Sequence, residues 1–223
     1  MPSKNRNQYK EPFIPALRFS SLNSFYDRLT LWAFKKTSFY HVIEEVKSVV
    51  APQQDMSILD LGCGPGRLAI RFKKNNPRCK VTAVDRDPKI LELAKKNARQ
   101  AKAKIHFVQQ DLATLTFSNT FDRIYSTFVF HHLPVESKKC TLNQLRKLLK
   151  PGGQFVLADF CQSHRLWEKL TFLPVQWIDG FKTTSPHIQG WLEKELNRYF
   201  SKVEQKARIT TFLGPAGVFV CHV

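Results

Sequence analysis

From residue 57 onward the apolar positions alternate between two rhythms, short continuous runs and stretches spaced three or four residues apart. Ile58 to Leu61 is a short run predicting a first strand, and Leu68, Ala69, Ile70 and Phe72 begin a helix. Val81 to Val84 predicts a second strand ending at Asp85. Asp87 then caps a helix with Pro88 at its first position, which places Ile90, Leu91, Ala94 and Ala98 on one face. Ile105 to Val108 predicts a third strand and Phe121 to Ser126 a fourth, followed by a loop from Thr127 to Pro134. Leu142, Leu145, Leu148 and Leu149 mark a helix running up to Lys150, where Pro151-Gly152-Gly153 stops it before a fifth strand, Gln154 to Asp159. Strands alternating with helices in this way predict a doubly wound, mostly parallel sheet covered on both faces.

The flanks depart from this alternation. Residues 13 to 50 carry Phe13, Ile14, Leu17, Phe19, Leu22, Phe25, Leu29, Leu31, Trp32 and Phe34, then Val42, Ile43, Val46, Val49 and Val50, a density suited to two or three helices packed on the main domain. Between about 160 and 190 an aromatic-rich insertion, with Trp167, Phe172, Trp177 and Phe181, predicts further helix. A helix from Trp191 to Phe200 and two strand-like runs, Val203 to Thr211 and Val218 to Val223, would bring the sheet to seven strands. The expected organisation is one structural domain, with residues 1–50 as an arm and helical cap and 51–223 as the α/β body.

Composition changes the picture in one respect. The apolar and charged fractions are those of a globular protein, but 35 Lys and Arg against 18 Asp and Glu give a formal charge of +17. Such a surface attracts polyanions, which keeps nucleic acid and peripheral contact with anionic membrane among the expected partners. The basic residues are spread over nearly every amphipathic stretch, without an arginine-rich tract. No run approaches the ~20 apolar residues of a membrane span and no signal peptide is evident, so the expected location is cytoplasmic. The 5 cysteines are scattered and never in C-x-x-C spacing, the pattern of free thiols; no metal site is expected from them.

The candidate chemistry begins at Asp60-Leu61-Gly62-Cys63-Gly64-Pro65-Gly66, where a buried strand turns sharply into a helix. Glycines here bring bare backbone close to a ligand, and the helix N-terminus points unpaired N–H groups toward it. The dinucleotide fingerprint G-x-G-x-x-G would place its third glycine at position 67, which is Arg67, so a nicotinamide enzyme is disfavoured. Asp60, Asp85 and Asp111 fall at or just past the ends of the first three strands. One acid in such a place is ordinarily a turn former, but three in register with a glycine loop line one edge of the sheet. In an open parallel sheet that edge is where ligands bind. The two acceptor oxygens of Asp85 suit vicinal ribose hydroxyls, and Asp111 could accept from an exocyclic amine.

The order and spacing of Leu59-Asp60-Leu61-Gly62-Cys63-Gly64-Pro65-Gly66, Ala83-Val84-Asp85-Arg86-Asp87, Gln109-Gln110-Asp111-Leu112, Phe128-Val129-Phe130-His131-His132-Leu133 and Leu149-Lys150-Pro151-Gly152-Gly153 resemble the class I S-adenosylmethionine-dependent methyltransferases. Within that superfamily they look most like the ubiquinone and menaquinone biosynthesis type. The resemblance implies a Rossmann-like fold and S-adenosylmethionine as cofactor, with S-adenosylhomocysteine as product. It implies that Gly62, Gly64 and Gly66 face the amino-acid half of the cofactor and that Asp60 orients the loop or the ammonium. Asp85 would hold the ribose, with Arg86, Asp111 and Leu112 around the adenine, and Ser126 and Thr127 would offer backbone carbonyls near the sulfonium.

Methyl transfer from a sulfonium is an in-line displacement, so the protein chiefly aligns the reactants and excludes water, adding a base only if the acceptor must lose a proton. His131, in the loop after the fourth strand, is the candidate base or acceptor contact. Tyr26, in a Tyr-Asp pair similar to one that closes over the cofactor in many methyltransferases, and Trp177 of the insertion are candidate lid or acceptor-side residues. Their aromatic surroundings suggest a small apolar or aromatic acceptor, with RNA or protein as the alternative and a non-enzymatic binding domain as a third reading.

Overall fold

The computed structural model describes residues 38–223. Tyr26 and the rest of the cap before Ser38 lie outside the described residues. The part of the cap within them is α1 (Ser38–Val50), an amphipathic helix that buries Phe39, Val42, Val46 and Val50 against the sheet.

The body alternates as its pattern requires: β1 (Ser57–Leu61), α2 (Arg67–Asn75), β2 (Lys80–Asp85), α3 (Pro88–Gln100), β3 (His106–Gln109), β4 (Phe121–Thr127), α4 (Val135–Leu148) and β5 (Leu149–Phe160). The insertion forms α5 (Leu166–Asp179) and α6 (Phe181–Ile188). It is followed by α7 (Trp191–Tyr199), β6 (Lys202–Thr211) and β7 (Gly214–His222). Short 3-10 turns lie at Leu112–Thr114 and Phe130–His132, the second inside the stretch expected to be plain loop. The α3 start is formed as expected, with the Asp87 carboxylate accepting from the Lys89 N–H at 2.8 Å and Pro88 at the first position.

The sheet runs β3-β2-β1-β4-β5-β7-β6, with β1 to β5 parallel and β7 antiparallel to both its neighbours. Strand order reverses between β1 and β4, and the ends of those two strands frame the crevice in which such sheets bind ligands. Side chains on the two faces form separate cores: Leu59, Leu61, Ile124, Phe155 and Leu157 on one, Ile58, Ala83, Tyr125, Val156 and Ala158 on the other. This is the alternation of a strand buried on both sides.

Several boundaries differ from the sequence reading; the last strand, expected from Val218 to Val223, runs from Gly214 to His222 because it pairs with β5 and β6 over that whole length. The helix expected to reach Lys150 ends at Leu148, because Leu149 turns extended (φ −82°, ψ 137°) and pairs with Phe121 as the first residue of β5. Pro151-Gly152-Gly153 therefore lies within the span of β5, beside a register shift in its pairing with β4. A Cβ at Gly153 would stand 2.9 Å from the Lys150 carbonyl oxygen, so this irregular stretch has no room for a side chain there. β3 starts at His106 rather than Ile105 and is a short edge strand.

Candidate active site

The loop from Gly62 to Gly66 is fixed from beneath. The N–H groups of Gly62 and Cys63 both donate to the Val84 carbonyl, at 2.8 and 2.9 Å, and the Gly64 N–H donates to Asp85 Oδ2 at 2.9 Å. All three glycines have positive φ, yet their surroundings differ. A Cβ on Gly62 would lie 2.5 Å from a γ-carbon of Val129, and one on Gly66 would touch Ala94 of α3 at 3.2 Å. At Gly64 nothing lies within 4 Å of that position. Gly62 and Gly66 are thus small to let protein pack on protein, whereas Gly64 leaves open space beside Asp85.

Of the three acids, Asp60 is the deepest, almost fully buried in β1 between Ala83 and Tyr125. Burial pushes its carboxyl up to about 7, the negative charge of Asp85 adds to this, and the neighbouring Tyr125 hydroxyl opposes it. Asp85 is also raised by burial, against the N–H groups of Asp87 and Gly64 that donate to it. Those two bonds use one lone pair on each oxygen, which leaves acceptor capacity for a diol.

Asp111 caps the 3-10 turn, accepting from the Ala113 N–H at 2.9 Å, and its other oxygen meets Arg86 at 3.1 Å. Arg86 and Asp111, assigned separately around an adenine, are therefore joined to each other. Leu112 buries its side chain and uses its carbonyl to accept from the Thr141 hydroxyl at 3.0 Å. Ser126 is fully buried and its hydroxyl donates to the Leu61 carbonyl at 3.0 Å, tying β4 to β1, while Thr127 is the last residue of β4.

Beyond Thr127, Phe128 has φ +54°, a left-handed conformation that bends the chain over the sheet edge. Its ring packs edge-on against Phe39 and Phe160. The bend carries His131 onto the end of β5, where its Nδ1 lies 2.7 Å from Asp159 Oδ1 and must donate to it. Asp159 is fully buried and also accepts from the backbone N–H of Phe160. Burial raises its carboxyl, but His131 outweighs this and holds it well below the usual range. Burial, with His132 close by, lowers the pKa of His131 despite Asp159, so its imidazole is neutral near neutral pH and its Nε2 carries a lone pair. Asp179, at the end of α5, places one oxygen 3.7 Å from that Nε2 and the other 3.3 Å from His132 Nδ1.

Asp159 and Asp179 were missed in the sequence. Asp159 had a signal, an acid ending a strand like the other three; Asp179 had none, being brought in by the fold of the insertion. Trp177, expected over the acceptor, stands 74% exposed on the solvent side of α5. Behind the site lies a second buried histidine, His187, whose Nδ1 donates to the Phe160 carbonyl at 2.9 Å while its Nε2 has no partner. Burial, reinforced by Lys138, lowers its pKa to about 3.

Residues 58–153 match a family described as a methyltransferase domain. Malonyl-acyl-carrier-protein O-methyltransferase of Halalkalibacterium halodurans is 32% identical over 160 residues, 70% of this chain and 55% of the relative. Demethylmenaquinone methyltransferase of Thermus thermophilus is 32% identical over 104 residues, 46% of each. The chain thus spans about half the length of the curated relatives it matches. Among solved structures, magnesium protoporphyrin IX methyltransferase of Synechocystis with bound SAH has the same fold, at 15% identity and a TM-score of 0.67 over 91% of this chain and 96% of that one. The bare face of Gly64 and the spare acceptors of Asp85 fit the cofactor of that family. Residues 58–153 are thus a methyltransferase domain of the class I S-adenosylmethionine-dependent type.

Proposed function

We propose that this chain transfers the methyl group of S-adenosylmethionine to a small apolar or aromatic acceptor. The cofactor supplies an activated methyl on a good leaving group. Gly64 gives it room, Asp85 accepts from its ribose hydroxyls, and Asp60 faces its ammonium. Asp111 and the backbone around Leu112 border its adenine, with the Arg86 side chain alongside. The backbone at Ser126 and Thr127 completes the wall. The single observation that carries this reading is the uncovered space at Gly64, bounded by Asp85, in a loop otherwise packed on protein.

At the acceptor end, His131 Nε2 takes the proton of the acceptor as the methyl bond forms. Asp159 holds the tautomer in which that nitrogen is unprotonated, and Asp179 stabilises the imidazolium that results. The rings of Phe39, Phe128 and Phe160 keep water from the neighbourhood, which favours an apolar acceptor. On α5, exposed Leu166, Leu170, Trp177 and Ile178 beside Arg165 and Lys169 support peripheral contact with an anionic membrane that would hold such acceptors. Among the described residues no helix is long and apolar enough to cross one.

Calorimetry with S-adenosylhomocysteine, then transfer of labelled methyl to a panel of phenols, quinols and amines, tests the reading. Absence of binding by folded protein would end it. A second reading, RNA as the acceptor, is favoured by the charge of +17. Transfer to RNA that weakens steeply with salt, with none to the small-molecule panel, would select it.

A further inference from the structure

A well-defined cleft lies away from the glycine loop. It opens at the opposite rim of the sheet, beneath the starts of β1, β2 and β3 and the last turns of α2 and α3, with a volume of about 700 Å³. Its lining includes Lys73, Arg78, Lys80, Lys95, Arg99 and Lys104 and no acidic residue. A smaller hollow continues it past Lys74 and Lys102.

Ordinary structural duties account for some of these cations. Lys73 donates to the carbonyls of Pro77 and Cys79, Arg78 pairs with Asp55, and Lys95 pairs with Glu92 on its own helix. Lys80, Arg99 and Lys104 make no direct ion pair with a carboxylate among the described residues, although Glu92 lies near enough to Arg99 to feel its charge, and all three are exposed. Arg99, in the last turn of α3, complements the helix dipole, but Lys80 and Lys104 stand at the start of a strand and in a loop, where no dipole calls for them. Like charges gathered around a concavity repel one another, and a bound anion relieves that repulsion.

We propose that this cleft binds the phosphodiester backbone of single-stranded RNA, at a site separate from the methyl-transfer centre. None of the exposed large apolar side chains among the described residues lines it, so it offers a bilayer nothing to insert. Beside the cations, exposed His106 presents a ring and exposed Asn119 an amide, groups on which unpaired bases stack and hydrogen-bond. Lys80 and Asp85 begin and end β2, so the cleft lies about 17 Å along the strand from the cofactor edge at 3.3 Å per residue. RNA held here is anchored, not presented to His131, and the inference stands whatever the acceptor proves to be.

The test is anisotropy of a fluorescent oligouridine of about 20 nucleotides titrated with the full chain over a series of NaCl concentrations. Binding is expected to weaken with salt, with a log–log slope of about −2 for three neutralised phosphates. Lys80→Glu/Arg99→Glu/Lys104→Glu should lose at least about tenfold in affinity and flatten that slope, and the matching triple glutamine variant should lose less. Arg198→Glu, on α7, should bind as the unaltered protein does. S-adenosylhomocysteine binding by calorimetry should stay unchanged in the triple variants, which separates this site from the proposed function. Three results would overturn the proposal: no RNA binding at about 0.1 M NaCl, triple variants that bind like the parent, or polyglutamate or phosphatidylglycerol vesicles competing as well as RNA at equal charge.

Discussion

Replacing Gly62 and Gly64 separately by alanine distinguishes a glycine that serves packing from one that serves a ligand. At Gly62 the new Cβ would sit 2.5 and 2.7 Å from the two γ-carbons of Val129 and 3.1 Å from its Cβ, so turning the side chain alone does not remove the overlap. Relief of that overlap costs about 1–3 kcal/mol, and a side chain at φ +69° adds about 1–2 kcal/mol. Gly62→Ala is therefore expected to lose about 2–5 kcal/mol, close to 10 °C in melting temperature for a domain of this size. At Gly64 only the conformational part applies, about 1 kcal/mol, because nothing lies within 4 Å. Its methyl instead fills the space assigned to the cofactor, so Gly64→Ala should stay folded and bind S-adenosylhomocysteine at least about tenfold more weakly. Urea unfolding and calorimetry on both variants measure the two quantities. Pairing Gly62→Ala with Val129→Ala should return at least about 1 kcal/mol relative to the sum of the single changes. The reasoning fails if Gly62→Ala unfolds within about 0.5 kcal/mol of the parent, or if Gly64→Ala binds as tightly as the parent.

Three further outcomes are expected. Asp85→Asn keeps the size of the side chain but removes the charge that accepts from a diol; calorimetry should show S-adenosylhomocysteine affinity falling by about 10–100-fold, as for a hydrogen bond to a charged group. Asp159→Asn no longer imposes the tautomer of His131, so turnover should fall by about 100-fold or more while cofactor affinity holds; an unchanged rate and pH profile would remove the base role. His187 binds its proton less readily folded, at about 3, than unfolded, near 6.5, so its contribution to stability is complete above about 6.5 and declines as pH falls toward 3. Urea midpoints should show about 2 kcal/mol lost from this group between pH 6.5 and 5, and His187→Asn, which keeps a donor for the Phe160 carbonyl, should lack that part of the slope.

What could be read from the sequence followed how local each determinant was. The αβ alternation, the Asp87-Pro88 helix start and the glycine turn are set by residues within a few positions of one another, and all are formed as expected. The position of Asp85, ending β2 beside the glycine loop, was legible because adjacent sequence defines it. The end of α4 was misplaced because the pairing of Leu149 with Phe121 decided it, and periodicity within the helix carries no trace of that partner. Asp179 was invisible for the same reason, since only the path of the insertion brings it to His131 and His132. Arg86 was placed near Asp111, but the ion pair between them depends on the loops after β2 and β3 standing side by side.

The placement of β7 between β5 and β6 has a consequence for synthesis. While Gly214–His222 is still within the ribosome, the emerged chain already holds β5 with one flank open and β6 with no strand to pair with. The buried side chains of β7 are therefore the last of the sheet to arrive, and they fill the gap between β5 and the edge strand β6. Until they do, the nascent domain exposes an apolar strand edge of the kind that trigger-type chaperones shield and that neighbouring polypeptides can mispair with.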